Sequence, residues 1–382
     1  MKINKDFVMK NFVFILVFLG VANLSYANTV YVSSDGTGDG YDIERPANLS
    51  DLNGFLADAS IANIILKSGI YYQNNYLLVS QGAHPVKISG LGNVIITSDY
   101  NSGNGGSSGF IVARSNVSFD NIKFINTQYC FRFKNNAVSN VNIDRIYAHN
   151  TMSCVDFDSG ISEVVSNITI NELTTLAYHK SGIRINGNTP KNISITNSKI
   201  DGLNSNIDST KDCHITGISV SGKTRDINIE NVSISNNVGG SVDCGSYQQG
   251  DGIVVNSDVA GVTIKNVLVS NSRDADLDIK SQSTILEEVT SLSGDINRHN
   301  LKLWYNDFSC KNCYVKANKP NAIQAIGSRV EFVDSVFEVS DVSKLCDLRE
   351  KNGIQGSIGF VGGMQLNIEN LSMVNGFIPD CT

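Results

Sequence analysis

Four aspartates are the side chains of this sequence best suited to chemistry, because their spacing brings them together. Asp274, Asp276 and Asp278 occupy alternate positions, and Asp251 precedes them by one repeat of the chain. Alternate residues of a β-strand lie on one face of the sheet, so the three carboxylates of the segment are expected to be neighbours. Crowded carboxylates repel one another unless a cation lies among them, and Ca²⁺ prefers several oxygen ligands. The spacing therefore predicts a calcium site.

Basic and aromatic residues follow these aspartates, and they leave a second interpretation open. They are Lys280, Arg298, His299, Lys302 and Trp304. In the alternative to a calcium site, Asp278 pairs with Lys302, and Asp276 pairs with Arg298 in a ladder of salt bridges. Trp304 is the only tryptophan, and an exposed indole can pack on the apolar face of a sugar ring. A tryptophan buried under a loop is the alternative.

A six-residue phrase that returns ten times defines the elements that position these residues. It reads aliphatic–polar–Asn–aliphatic–polar–aliphatic, with Asp, Glu or Arg also allowed at the third position. The third positions are Asn121, Arg145, Glu172, Asn197, Asn231, Asn266, Glu288, Asn312, Asp334 and Asn370. Most copies lie 22 to 27 residues apart, and three longer steps of 34 to 36 residues carry insertions. Such a period is the mark of a solenoid.

The repeats contain short alternating segments and no helix-length amphipathic pattern, which favours β-strands. We therefore predict an all-β fold, a right-handed parallel β-helix of about ten coils. Asn at the third position suits a sharp bend, because Asn tolerates the left-handed backbone conformation. Stacked Asn side chains can also hydrogen-bond along the axis. Residues 49–59 have helical spacing and are expected to cap the N-terminal end.

A second phrase, small–aliphatic–x–aliphatic, precedes each turn and indicates which residues point outward. Because the flanking aliphatic residues face the core, x faces solvent. The outward residues are then Arg132, Asp156, Arg184, Ser219, Val254, Asp278 and Lys302.

The eight cysteines suggest disulfides, as in exported proteins. Cys130 and Cys154 share a position on neighbouring coils, where the Cα atoms lie within the range of a disulfide. The pairs expected are Cys130–Cys154, Cys213–Cys244 and Cys346–Cys381. Cys310 and Cys313 are expected to be buried, with a bond between them left open and a structural zinc site as a rival to disulfides.

The first 27 residues have the features of a secretory signal: a basic start, a short apolar run and a small-x-small site at Ala27. Cleavage there would leave one secreted β-helix domain, 28–382, whose residues 341–382 form the last coil and a cover. No other stretch could span a bilayer.

The net charge of −7 argues against a general binder of nucleic acid or anionic membranes. We expect a monomer whose partner is an acidic polysaccharide or another glycan.

The segment 250–315 resembles secreted right-handed parallel β-helix proteins of the polysaccharide-lyase type, and family 9 pectate lyases are the closest in logic. Those proteins often read DGIDIK and then NGxKLW; this chain has DADLDIK at 274–280 and RHNLKLW at 298–304. The resemblance implies calcium held by Asp251, Asp274, Asp276 and Asp278. It also implies that Lys302 is the catalytic base. Two departures are Asn300, where the family has Gly, and Ala275, which breaks the paired acidic motif.

The reaction implied by the resemblance is β-elimination from a uronate, in which a neutral Lys302 removes the C5 proton and the oxygen at C4 leaves. Arg298 or bound Ca²⁺ would lower the pKa of Lys302, whereas Asp278 alone would raise it. Substrate contacts are assigned to Trp304, His299, Lys280 and Arg184.

Two other functions remain open on the same fold. A glycoside hydrolase or epimerase would use paired carboxylates such as Asp251 and Asp274, although polygalacturonase-like phrases are absent. A non-catalytic glycan-binding or adhesin-like β-helix would need no reactive group at all. The insertions at 201–213 and 237–250 are expected to wall the binding groove. An unsaturated uronide product would distinguish the lyase from both alternatives.

Overall fold

The chain forms a parallel β-helix of about 11 turns, of which 63% is strand, consistent with the right-handed form predicted from the repeat. The computed structural model describes residues 28–101, 108–203, 213–238, 249–294, 297–318, 321–368 and 381. The described strand pairs are parallel and mostly join one coil to the next, so that residues in register on successive coils lie about 4.8 Å apart.

The strands of the first half include the longest ones, which run through more than one side of a coil. They are β1 (Asn28–Ser33), β2 (Ala47–Asn48), β3 (Ile61–Tyr72), β4 (Leu77–Val79), β5 (Val86–Thr97), β6 (Phe110–Val112), β7 (Val117–Phe133), β8 (Val138–Phe157), β9 (Val165–Asn171), β10 (Thr174–Leu176), β11 (Ser181–Ile185), β12 (Lys191–Thr196), β13 (Lys199–Asp201) and β14 (His214–Val220). One helix, α1 (Leu52–Ala57), follows the 3-10 turn Leu49–Asp51.

The strands of the second half carry most of the predicted site, while Arg184 lies on β11. They are β15 (Arg225–Ser235), β16 (Gln249–Val255), β17 (Ala260–Ser270), β18 (Ala275–Ile279), β19 (Gln282–Leu292), β20 (His299–Trp304), β21 (Phe308–Lys311), β22 (Tyr314–Ala317), β23 (Asn321–Ile326), β24 (Arg329–Val333), β25 (Val336–Val339), β26 (Cys346–Arg349), β27 (Ser357–Val361) and β28 (Gln365–Ile368). A 3-10 turn, Val342–Lys344, precedes β26. Residues 341–368 therefore contain a further coil.

The bend at the third position of the repeat is confirmed. Every described residue at that position, from Asn121 to Asp334, has a φ between 47° and 56°. The side chains also bond along the axis, since Nδ2 of Asn266 donates to Oδ1 of Asn231 at 2.8 Å, and Nδ2 of Asn231 donates to Oδ1 of Asn197 at 3.2 Å. Asn370 lies outside the described residues. The ladder thus supplies both the backbone conformation and the amide contacts that join coils.

The N-terminal cap is confirmed, and a buried arginine that was not predicted fastens it. Leu52 and Leu56 of α1 are buried in the core. Arg114 is 2% exposed, and its Nη1 donates to the carbonyl oxygens of Leu56 at 3.2 Å and Gln81 at 2.7 Å. A buried guanidinium that satisfies backbone carbonyls joins the helix to the first coils.

Three disulfides lie among the described cysteines. Cys130–Cys154 and Cys346–Cys381 are confirmed, with Cα atoms 4.6 and 5.9 Å apart, and Cys310 is bonded to Cys313. Cys213 is disulfide-bonded, but Cys244 lies outside the described residues. The predicted signal segment 1–27 also lies outside them. None of the described helices is long and apolar enough to cross a membrane.

Candidate functional site

The outward ladder predicted from the sequence is confirmed on one face of the β-helix. Asp278 of β18 is in register with Val254 of β16 on one side and with Lys302 of β20 on the other. The same row runs back through Ser219 to Arg184. Because every residue of this row belongs to a paired strand, the backbone fixes the spacing of the side chains.

The expectation that Asp276 shares a face with Asp278 is wrong. Asp276 is fully buried, where its carboxylate accepts hydrogen bonds from Oγ of Ser291 at 2.7 Å and from Nδ2 of Asn297 at 3.0 Å. Leu277, the next residue, is also fully buried. Two consecutive inward side chains mean that the strand bends here, and simple alternation fails at a bend. Asp276 therefore lies inside the β-helix and cannot pair with Arg298, which is exposed.

The other three aspartates do lie together with the two lysines. Nζ of Lys302 donates to Oδ2 of Asp274 at 2.7 Å, and Nζ of Lys280 donates to Oδ2 of Asp278 at 2.6 Å. Oδ1 of Asp251 accepts from the backbone N–H of Ala275 at 3.0 Å. The salt-bridge alternative is thus present with different partners, because Lys302 bonds to Asp274 rather than to Asp278 beside it.

Burial and mutual repulsion set the charges of this cluster. Burial raises the pKa of Asp251 well above its usual value, and the neighbouring carboxylates of Asp278 and Asp274 raise it further, which favours the protonated acid. Burial alone would lower the pKa of Lys302, but the attraction of these carboxylates outweighs it, so the pKa is raised. Burial lowers the pKa of His299 to about 4, and the positive charge of Lys302 adds to the effect. His299 is therefore neutral at neutral pH.

Trp304 is half-buried and belongs to this cluster rather than to a separate platform. Its Nε1 donates to Oδ1 of Asp278 at 2.8 Å. The ammonium groups of Lys280 and Lys302 each lie 5.7 Å from the centre of the indole ring, within range of a cation–π interaction. The indole thus interacts with both lysines.

Arg184 lies apart from the cluster, in a second ionic group that the sequence only hinted at. Its Nε donates to Oδ1 of Asp156 at 2.5 Å, and its Nη2 donates to Oδ2 at 3.1 Å. Asp156 is fully buried between Arg184 and Arg132, which also bonds to Asp158 at 2.7 Å. The alternation Arg132, Asp156, Arg184 in the outward row was the signal for this group.

Beyond Lys302 the row continues through two residues that were not predicted to belong to the site. Gln324 is in register with Lys302, and its Nε2 donates to Oδ2 of Asp347 at 2.5 Å. Arg349 bonds to the same carboxylate at 2.9 Å. His299 adjoins this group, because the charges of Asp347 and Arg349 both affect its pKa. In β23, the segment Ala322-Ile323-Gln324-Ala325 fits the small–aliphatic–x–aliphatic phrase with alanine in its last position, so the same pattern could have revealed the extension.

In the arrangement observed, protein donors bond to the carboxylates that were predicted to hold calcium. Asp251, Asp274 and Asp278 have the hard oxygen atoms that calcium prefers. However, each of them accepts a hydrogen bond from a protein donor, and Asp276 points inward. Within the described ranges, no group of three or more His, Cys, Asp or Glu side chains is placed to hold a metal ion. Calcium binding stays a prediction.

Solved structures that resemble this chain include lyases and an adhesin. A rhamnogalacturonan lyase is 11% identical with a TM-score of 0.50, covering 92% of this chain and 90% of that one. The pectate lyase Pel9A is 12% identical with a TM-score of 0.41, covering 90% and 78%. The Streptococcus pneumoniae surface protein and adhesin PfbA is 11% identical with a TM-score of 0.44, covering 88% and 97%.

No protein-family model matches the chain, and no curated protein sequence matches it. At identities this low, the likeness to solved structures establishes the parallel β-helix fold alone. Membership of the family 9 pectate lyases, which the motifs suggested, is not established.

Proposed function

We propose that the protein binds a uronate-containing polysaccharide on this outer face and cleaves it by β-elimination, with Lys302 as the base. The observation that supports the proposal most is the layering of charge. The side chains of Lys302 and Lys280 are 13% and 25% exposed, whereas those of Asp274 and Asp278 are 6% and 7% exposed. Buried carboxylates thus hold more exposed ammonium groups outward. This arrangement suits an anionic ligand although the whole chain has a net charge of −7.

The reaction uses groups that are already adjacent. Lys280 pairs with the uronate carboxylate, which makes the C5 proton more acidic. The neutral amine of Lys302 takes that proton, the electron pair forms the C4–C5 double bond, and the C4–O bond breaks. Asp251, which burial keeps protonated, gives its proton to the departing oxygen. Solvent then returns the proton of Lys302 to the bulk and reprotonates Asp251.

The resting state of Lys302 limits this reaction at neutral pH. Its pKa is raised, so the ammonium form predominates and must lose a proton before it can act as a base. The rate of elimination is therefore expected to increase with pH. Calcium among Asp251, Asp274 and Asp278 would oppose the raised pKa of Lys302, but it would also ionise Asp251 and so exclude it as the acid. Chelation with EDTA tests whether calcium contributes.

Glycoside hydrolysis is the second candidate, and the raised pKa of Asp251 favours it. A hydrolase needs one protonated carboxyl group as the acid and a second carboxylate as base or nucleophile. Asp251 would be the acid, with Asp274 or Asp278 as its partner. In this case Lys302 would serve to bind substrate and hold Asp274.

Incubation of the purified protein with pectate, alginate and other uronides distinguishes these functions. A lyase produces an unsaturated uronide that absorbs ultraviolet light, a hydrolase produces only reducing ends, and a non-catalytic binder produces neither. We expect the unsaturated product. The substitution Lys302→Met should lower the rate of its formation about 10²- to 10⁴-fold. Lys311→Met is the matched control, because Lys311 is an exposed lysine of β21, away from this face. Reducing ends without ultraviolet absorption would refute the elimination.

A further inference from the structure

Between the two ionic groups, the outer face has a floor of small, uncharged side chains. Ser219 and Val254 are the outward residues of β14 and β16, and both are half-buried. On one side of them lies Arg184, and on the other lies Asp278. From Arg184 to Lys302 the row takes four steps, which is about 19 Å at about 4.8 Å a step.

Arg184 repeats the layering of charge found around Lys302. Asp156 beneath it is fully buried, whereas the side chain of Arg184 is 21% exposed. The bonds to Asp156 use Nε and Nη2, so the planar guanidinium is held in one orientation by a bidentate pair. Arg132, the other guanidinium on Asp156, bonds also to the more exposed Asp158. Of the two arginines, Arg184 is therefore the one whose hydrogen-bonded carboxylate is completely buried.

We infer that Arg184 is a second anion-binding position, about 19 Å from Lys302, for the same polysaccharide chain. The inference rests on the proposed function, and it specifies the substrate as a polymer with carboxylates spaced along its length, gripped at two places. The floor residues Ser219 and Val254 are uncharged, and the sugar rings that connect the two positions would lie over them. Binding at two places raises affinity only for chains long enough to reach both.

A length series tests this inference. The dissociation constants of oligogalacturonates and alginate oligomers, from disaccharide to octasaccharide, are measured with the intact protein below neutral pH, where Lys302 is protonated and cleavage is slow. We expect the affinity to increase by a step of about tenfold once the oligomer can span four coils. Neutral oligosaccharides of the same lengths should show no such step.

A negative charge placed at Ser219 should remove the step in affinity without disturbing the hydrophobic core. Ser219 is in register with Arg184, so Ser219→Glu would pair with the guanidinium and repel a bound carboxylate. Ser219→Gln has nearly the same size without the charge and should keep most of the step. Ser233→Glu adds the same charge on a different outer strand, β15, and should keep all of it.

The outcomes separate this inference from the proposed function. If uronides are bound or cleaved, but the affinity does not depend on the length of the oligomer, the second position is refuted and the proposed function stands. The same holds if Ser219→Glu behaves like Ser219→Gln. If no uronide of any length is bound or cleaved, the proposed function itself fails.

Discussion

Asp276 accepts a hydrogen bond from Ser291 inside the β-helix, at a position where the three preceding coils pair a glycine with an aliphatic residue. The corresponding pairs are Gly182 with Ile200, Gly217 with Ile234, and Gly252 with Val269, and a Cβ on any of these glycines would lie within 2.5 Å of its partner. Ser291 is in register with Val269. In this coil, Ser291 thus takes the place of the aliphatic residue, and Asp276 takes the place of the glycine. The two replacements accommodate each other.

This buried carboxyl group should make stability depend on pH. Burial raises the pKa of Asp276 from 3.8 to about 7. The folded protein therefore holds this proton more tightly than the unfolded chain does. The resulting stabilisation is fully present below about pH 4 and is lost as the pH rises through about 7. A difference of about three pKa units corresponds to about 4 kcal/mol, as an order of magnitude.

Asp276→Asn removes this ionisation. The free energy of unfolding of the variant, relative to that of the unmodified protein, should therefore increase by up to about 4 kcal/mol between about pH 4 and pH 8. Denaturant unfolding at the two pH values measures the difference. Glu331→Gln, at an exposed position of β24, should show no comparable trend. An equal response of the two variants would refute the buried placement.

The raised pKa of Lys302 predicts an alkaline pH profile for cleavage. Among the nearby carboxylates, Asp278 raises this pKa most. Asp278→Asn should therefore move the midpoint of the rising limb to lower pH. Asp347→Asn is the control, because Asp347 lies on the same face but two coils from Lys302. Lys302→Arg should abolish the limb, since arginine does not lose its proton in this range. Initial rates measured across the alkaline range test all three.

The sequence predicted the features that depend on stacking and missed those that depend on local bending. The outward row from Arg184 to Lys302 follows from period and alternation, and both persist from coil to coil. Asp276 escaped prediction because alternation assumes a straight strand. The signal was present in Gly217 and Gly252, whose lack of a side chain marked the position as inward. Arg114 could not be predicted, because its carbonyl partners come from distant segments with no pattern of their own.

The predicted calcium site is narrowed to Asp251, Asp274 and Asp278, because Asp276 is fully buried. Calcium would have to displace Lys302 from Asp274, so Asp274→Asn should remove the binding observed by calorimetry. Asp276→Asn should leave the affinity unchanged, because that carboxylate lies inside the β-helix. Loss of calcium binding in Asp276→Asn, with the fold retained by circular dichroism, would contradict the assignment of faces.

The Asn ladder offers a test of the fold that is independent of function. Glu288 lies between Asn266 and Asn312 in the repeat, and it has a φ of 54°, a region that costs most residues free energy and that Asn tolerates. Glu288→Asn should stabilise the protein by about 1 kcal/mol, both by relieving this cost and by extending the amide ladder. Glu288→Gln also removes the charge but keeps a long side chain, so it should not give this gain. Thermal unfolding of the two variants measures the difference. Equal stability of the two would show that the charge of Glu288, rather than its backbone conformation, lowers the stability of the protein.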